Sequence, residues 1–167
     1  GSIPAVPEIP GITSSKVTNA THVLSGTVDV GEKVVIIGGE LVGCETADFL
    51  AQRGKKVTVV RRSQEMATKM FSVNRRALLA RLSERGVTLV TGVKEYEAIS
   101  DEGLVIIDAN GKRRTLEADT IILAVGAIPN NRLARDIEGK VAEVYLAGDC
   151  VQPRRIVDAI HEGACLG

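Results

Sequence analysis

The feature that most restricts this chain lies at residues 33–43, where Lys-Val-Val-Ile-Ile runs straight into Gly38-Gly39-Glu40-Leu41-Val42-Gly43. A short, unbroken β-branched run reads as a strand buried on both faces, as in parallel sheets. A parallel neighbour is reached by a crossover, usually a helix. Residues 42–53 supply one, with Val42, Ala47, Phe49 and Leu50 on one face at helical spacing and Gly54 as the stop. Residues 56–60 form the next strand. A helix over 73–85 follows, with Leu78, Leu79 and Leu82 apolar and Gly86 closing it, and residues 87–90 make a third strand. The order predicts an α/β fold: a parallel sheet with crossover helices.

Residues 93–118 change period. Segments 93–99, 104–108 and 113–117 alternate, and Asn110-Gly111 between the last two is a strong hairpin signal, so a three-stranded antiparallel meander is expected. Residues 120–125 return as an apolar strand ending at Gly126, and residues 144–149 read as another ending at Gly148-Asp149. Pro4, Pro7 and Pro10 forbid a helix near the start and predict an extended linker or edge segment.

A strand that ends in glycines and opens a helix aims backbone N–H groups and the positive helix end at one point, which suits a pyrophosphate. Set within a βαβ unit, the turn predicts a Rossmann-like dinucleotide site built on Gly38, Gly39, Glu40, Leu41, Val42 and Gly43. The fingerprint's middle glycine, which lets the backbone approach the phosphates, is Glu40 here, and an unpaired carboxylate there would repel them. About 20 residues on, where NAD sites place an acid for the ribose hydroxyls, stand Arg61 and Arg62. Two guanidinium groups suit a 2′-phosphate, so NADP(H) is favoured over NAD(H). Against this stands the reading of Arg61 and Arg62 as an ordinary solvated pair, and of the glycine turn as mere helix packing.

No catalytic residue or metal site is expected. His22 and His161 lack an acid or nucleophile at a recognisable spacing, Cys44 reads as a small packed side chain, and Arg75, Arg76, Arg81 and Arg85 read as a solvated helix face. Cys44, Cys150 and Cys165 show no CxxC spacing and read as reduced thiols, which with the lack of a signal segment predicts a cytoplasmic setting. Lys plus Arg and Asp plus Glu both total 21, so no net field draws the chain to nucleic acid or to a membrane surface. The apolar runs are too short to span a bilayer.

Three ordered motifs carry a resemblance: Val-Ile-Ile-Gly-Gly-Glu-Leu-Val-Gly-Cys-Glu-Thr-Ala, Ile-Leu-Ala-Val-Gly-Ala-Ile-Pro-Asn and Ala-Gly-Asp-Cys-Val-Gln-Pro-Arg-Arg. Together they resemble the C-terminal part of 2,4-dienoyl-CoA reductase and related NADH:flavin oxidoreductases of the old yellow enzyme type. In that family an FMN barrel with an iron–sulfur cluster precedes an FAD domain into which the pyridine-nucleotide domain is inserted. Gly1-Ser2 reads as a cleavage-tag remnant, and the resemblance implies a linker and partial FAD-domain segment at 3–30, an NAD(P)-binding domain at 31–130 and a second partial FAD-domain segment at 131–167. It makes the missing FAD and FMN-barrel domains of the same polypeptide the partners, and implies a fragment inactive alone. By position it also implies that Glu45 lies near the nicotinamide, that Gly126 lines the dinucleotide's path, and that Gly148 and Asp149 belong to a flavin motif. Family members often carry arginine after that glycine, where this chain has Ala127. The expected function is to hold NAD(P)H for hydride transfer to FAD in the intact enzyme. Alternatives are a nucleotide-binding module without turnover and an inert domain with a degenerate site.

Overall fold

A computed structural model describes all 167 residues, which form two compact units, Val6–Val125 and Gly1–Ala5 with Gly126–Gly167. The larger unit is built on a five-stranded parallel sheet, in which strands β2 (Val17–Asn19), β3 (Lys33–Ile37), β4 (Lys56–Val60), β5 (Thr88–Val90) and β9 (Thr120–Leu123) run in the order β2-β9-β3-β4-β5. Helix α1 (Ala20–Leu24) joins β2 to β3, α2 (Leu41–Ala51) joins β3 to β4, and α3 (Ser72–Glu84) lies between β4 and β5. An antiparallel sheet of β6 (Glu95–Ile99), β7 (Gly103–Ile107) and β8 (Arg113–Glu117) then leads back to β9.

The two-residue period of β3 explains the layering. Val34 and Ile36 pack with Ala47, Leu50, Leu78 and Leu82 on the helical side, whereas Val35 and Ile37 pack with Leu104, Ile106 and Ile121 on the side of the antiparallel sheet. The parallel sheet is thus covered on both faces, and each buried Ile or Leu contributes about 1.5–3 kcal/mol. At the β7–β8 hairpin, Asp108 Oδ1 accepts from the Asn110 and Lys112 amides at 2.9 and 3.0 Å, and Gly111 takes φ +81°, so the expected Asn110-Gly111 turn is present. These bonds offset partial desolvation and hold the Asp108 carboxyl below its usual range, with the Lys112 N–H the largest influence.

The smaller unit contains a two-stranded antiparallel sheet of β1 (Ser2–Pro4) and β10 (Ala127–Pro129), with helices α4 (Arg132–Ile137) and α5 (Ile156–Leu166). No helix in the chain is long and apolar enough to cross a membrane.

Several expectations are corrected. Residues 144–149 form no strand; Gly148–Cys150 is a single 3-10 turn. A strand needs a neighbour for its N–H and C=O groups, and in this unit β1 and β10 pair only with each other. Val42 is 50 % exposed, and the buried stripe of α2 is Gly43, Cys44, Thr46, Ala47 and Leu50. Within residues 3–30, β2 is an edge strand of the parallel sheet and Ile9 is buried in its core. Arg76, Arg81 and Arg85 are exposed as expected of a solvated face, but Arg81 and Arg85 also pair with Asp48 of α2, and Arg75, half-buried, pairs with Glu65.

Candidate functional site

Strand order reverses between β3 and β9, which are neighbours although far apart in sequence. In open α/β sheets ligands enter at such a switch point, beyond the carboxyl ends of the strands. The turn after β3 sits there. Gly38 has φ +119°, and a Cβ on it would collide with the Ala124 carbonyl at the end of β9. A Cβ on Gly43 would collide with the Gly38 carbonyl, so the first turn of α2 folds tightly over the strand end. No side chain caps α2, which leaves its leading N–H groups without a side-chain acceptor and its positive end unshielded. Leu41 and Val42 are exposed at this end, as is Glu45 one turn further on.

Glu40 does not lie across the helix end. Its carboxylate turns to the loop that follows β4: Arg61 Nη2 and Thr68 Oγ1, the latter at 2.7 Å, donate to Oε1, and the Lys69 amide donates to Oε2 at 3.2 Å. Partial burial pushes this carboxyl up, but the Thr68 and Lys69 hydrogen bonds and the Arg61 charge outweigh it and hold it below the usual carboxylate range. Arg61 is equally committed, with Nη1 donating to the carbonyls of Glu65 at 2.5 Å and Gly39 at 3.3 Å; its side chain is 14 % exposed. The Ala67 amide donates to the same Gly39 carbonyl at 2.7 Å, and Met66 packs where a Cβ on Gly39 would stand. Buried Ala67 has φ +51°, a conformation uncommon outside glycine, so this loop is held tightly beneath the glycine turn.

The structure therefore brings together Gly38, Gly39, Glu40, Leu41, Val42, Gly43, Glu45 and Arg61. The Arg61 guanidinium engages protein acceptors on both of its Nη atoms and exposes little surface. Arg62 is exposed, with its guanidinium carbon 5.2 Å from the Tyr96 ring centroid. Gly126, Gly148 and Asp149 lie in the smaller unit. There Ser2 Oγ donates to Asp149 at 3.1 Å, and the Gly148 amide donates to Glu162 at 2.6 Å. His22 and His161 are exposed. Cys44 is buried, and desolvation, with the Glu40 and Glu45 charges adding, pushes its thiol up to about 11. It is inert at neutral pH.

Thr68, Lys69 and Tyr96 escaped the sequence reading. The signal that could have found the first two is the isolated acid at a helix start, which needs donors from another segment.

The profile of the pyridine nucleotide-disulphide oxidoreductase family matches residues 1–163. An NADH oxidase of Thermoanaerobacter brockii is 36 % identical over 168 residues, an alignment that covers 98 % of this chain and 26 % of that protein. The structure described as a 2-naphthoyl-CoA reductase–2-naphthoyl-CoA complex superposes with a TM-score of 0.93 at 34 % identity, over 98 % of this chain and 25 % of that one. An engineered water-forming NADPH oxidase bound to NADPH is similar at a TM-score of 0.62 and 27 % identity, over 89 % of this chain and 34 % of its own. The chain thus spans about a quarter of the length of the curated relative.

Proposed function

Because the chain belongs to the pyridine nucleotide-disulphide oxidoreductase family, an FAD- and NAD(P)H-binding family, we propose that residues 38–43 hold the pyrophosphate of NAD(P)H for hydride transfer to FAD in a longer enzyme. The observation that carries this reading is the uncapped start of α2 at the switch point, with the Glu40 charge turned aside and matched by Arg61. The residues fit the nucleotide. The N–H groups at the head of α2 are oriented for an anion, the Gly38 and Gly43 contacts keep the turn flat against the strands, and the matched carboxylate no longer repels phosphate. Glu45, exposed on the same helix, faces the nicotinamide by analogy with related reductases. When bound, the nicotinamide supplies the hydride; this chain binds and orients it.

The longer enzyme is of the old yellow enzyme type related to 2,4-dienoyl-CoA reductase, with an FMN barrel and an iron–sulfur cluster outside this chain. The remaining FAD and barrel domains are its partners, Gly126, Gly148 and Asp149 serve the nicotinamide path and the flavin, and its setting is cytoplasmic, in keeping with three free cysteines.

Thermal unfolding of the chain with NADPH, NADH or ADP tests the reading. A ligand at a hundred times its dissociation constant stabilises the folded state by about 2.7 kcal/mol. Both pyridine nucleotides are expected to raise the unfolding temperature. No rise with any of the three at millimolar concentration contradicts the proposal.

A further inference from the structure

Resting on that reading, we infer that Glu40 is a specificity-determining residue of the nucleotide site, because it takes Arg61 away from the coenzyme. Arg61 directly follows β4, the place from which such sites read the adenine ribose. A free guanidinium there would meet a 2′-phosphate with paired, charge-assisted hydrogen bonds. Instead, Nη2 is taken by Glu40 and Thr68, and Nη1 by the Glu65 and Gly39 carbonyls.

The carboxylate is itself held from three sides, by Arg61, Thr68 Oγ1 and the Lys69 amide, so the arrangement does not depend on a single contact. Arg61 also braces the glycine turn through the Gly39 carbonyl. It acts on the coenzyme as a positioning residue, by cancelling the charge beside the pyrophosphate. This leaves Arg62, exposed above Tyr96, as the only cation of the pair free to distinguish NADPH from NADH.

The inference separates the two arginines by experiment. Isothermal titration of the 167-residue chain with NADPH and with NADH gives the ratio of their affinities for wild type, Glu40→Gly, Glu40→Gln, Arg61→Ala and Glu40→Gly/Arg61→Ala. Glu40→Gly, which restores the fingerprint glycine and releases Arg61, is expected to shift the ratio towards NADPH by roughly tenfold, the yield of one added charge-assisted hydrogen bond. Glu40→Gln keeps the side chain's size and is expected to shift it in the same direction by less. Arg61→Ala alone is expected to weaken both coenzymes equally, because it uncovers the Glu40 charge, and the double variant is expected to return to the wild-type ratio. A ratio unchanged in Glu40→Gly and Glu40→Gln, or a loss of NADPH preference in Arg61→Ala, overturns the inference while leaving the site in place. Binding of neither coenzyme by wild type and every variant overturns the site reading and this inference with it.

Discussion

The two compact units of this chain use apolar side chains in opposite ways. In Val6–Val125, Ile36, Ile37, Ile121 and Ile122 are fully buried between helices and antiparallel sheet. In Gly1–Ala5 with Gly126–Gly167, Ile156 is 81 % exposed, Leu133 73 % and Ile160 66 %, and helix α5 buries no residue at all. The larger unit encloses its own core and can hold a glycine turn to the tolerance that phosphate binding needs. The smaller unit leaves its large apolar side chains largely in solvent.

A matched pair of substitutions puts this contrast to the test. Ile36→Ala is expected to cost about 2–5 kcal/mol in urea unfolding, whereas Ile156→Ala should stay within about 0.5 kcal/mol; equal costs would erase the distinction. Next in size, Gly38→Ala forces a side chain into left-handed backbone and against the Ala124 carbonyl, at a cost on the order of 2 kcal/mol. Asp48→Ala, which releases Arg81 and Arg85 between α2 and α3, is expected to cost about 1 kcal/mol, because the ion pairs are partly exposed. The smallest effect is on pH dependence. Glu40 has a folded-state pKa below its ordinary value of 4.5, so its contribution is present above about pH 4.5 and is lost as pH falls through the lower folded value. Glu40→Gln should therefore flatten the acid limb of the stability curve, and an unchanged limb would show that the carboxylate's hydrogen bonds contribute nothing in solution.

What the sequence made legible follows from the same contrast. The β-branched strands, the leucine-bearing helix and the Asn110-Gly111 hairpin announce themselves because each buries or turns by a local rule, and the parallel sheet with its antiparallel cover was read correctly from them. Strand β2 was not, since three residues carry no period and pair only because β9 lies beside them. Residues 144–149 misled in the reverse direction: their local pattern suits a strand, yet the unit offers them no neighbour. At the candidate site the glycine turn was legible and the placing of charge was not. In the sequence Glu40 stands as a charge that repels phosphate and Arg61 as one that attracts it, and only the folded loop of residues 61–69 sets one against the other.

The most direct test of the central claim is an amide correlation spectrum of the chain titrated with NADH and NADPH. Coenzyme binding at the switch point should shift the amides of residues 39–43 first, followed by those of residues 61–69 that brace them. Shifts confined elsewhere, for example to the cavity of about 500 Å³ lined by Lys33, Lys55, Lys56 and Arg85 at the amino ends of β3 and β4, would contradict it.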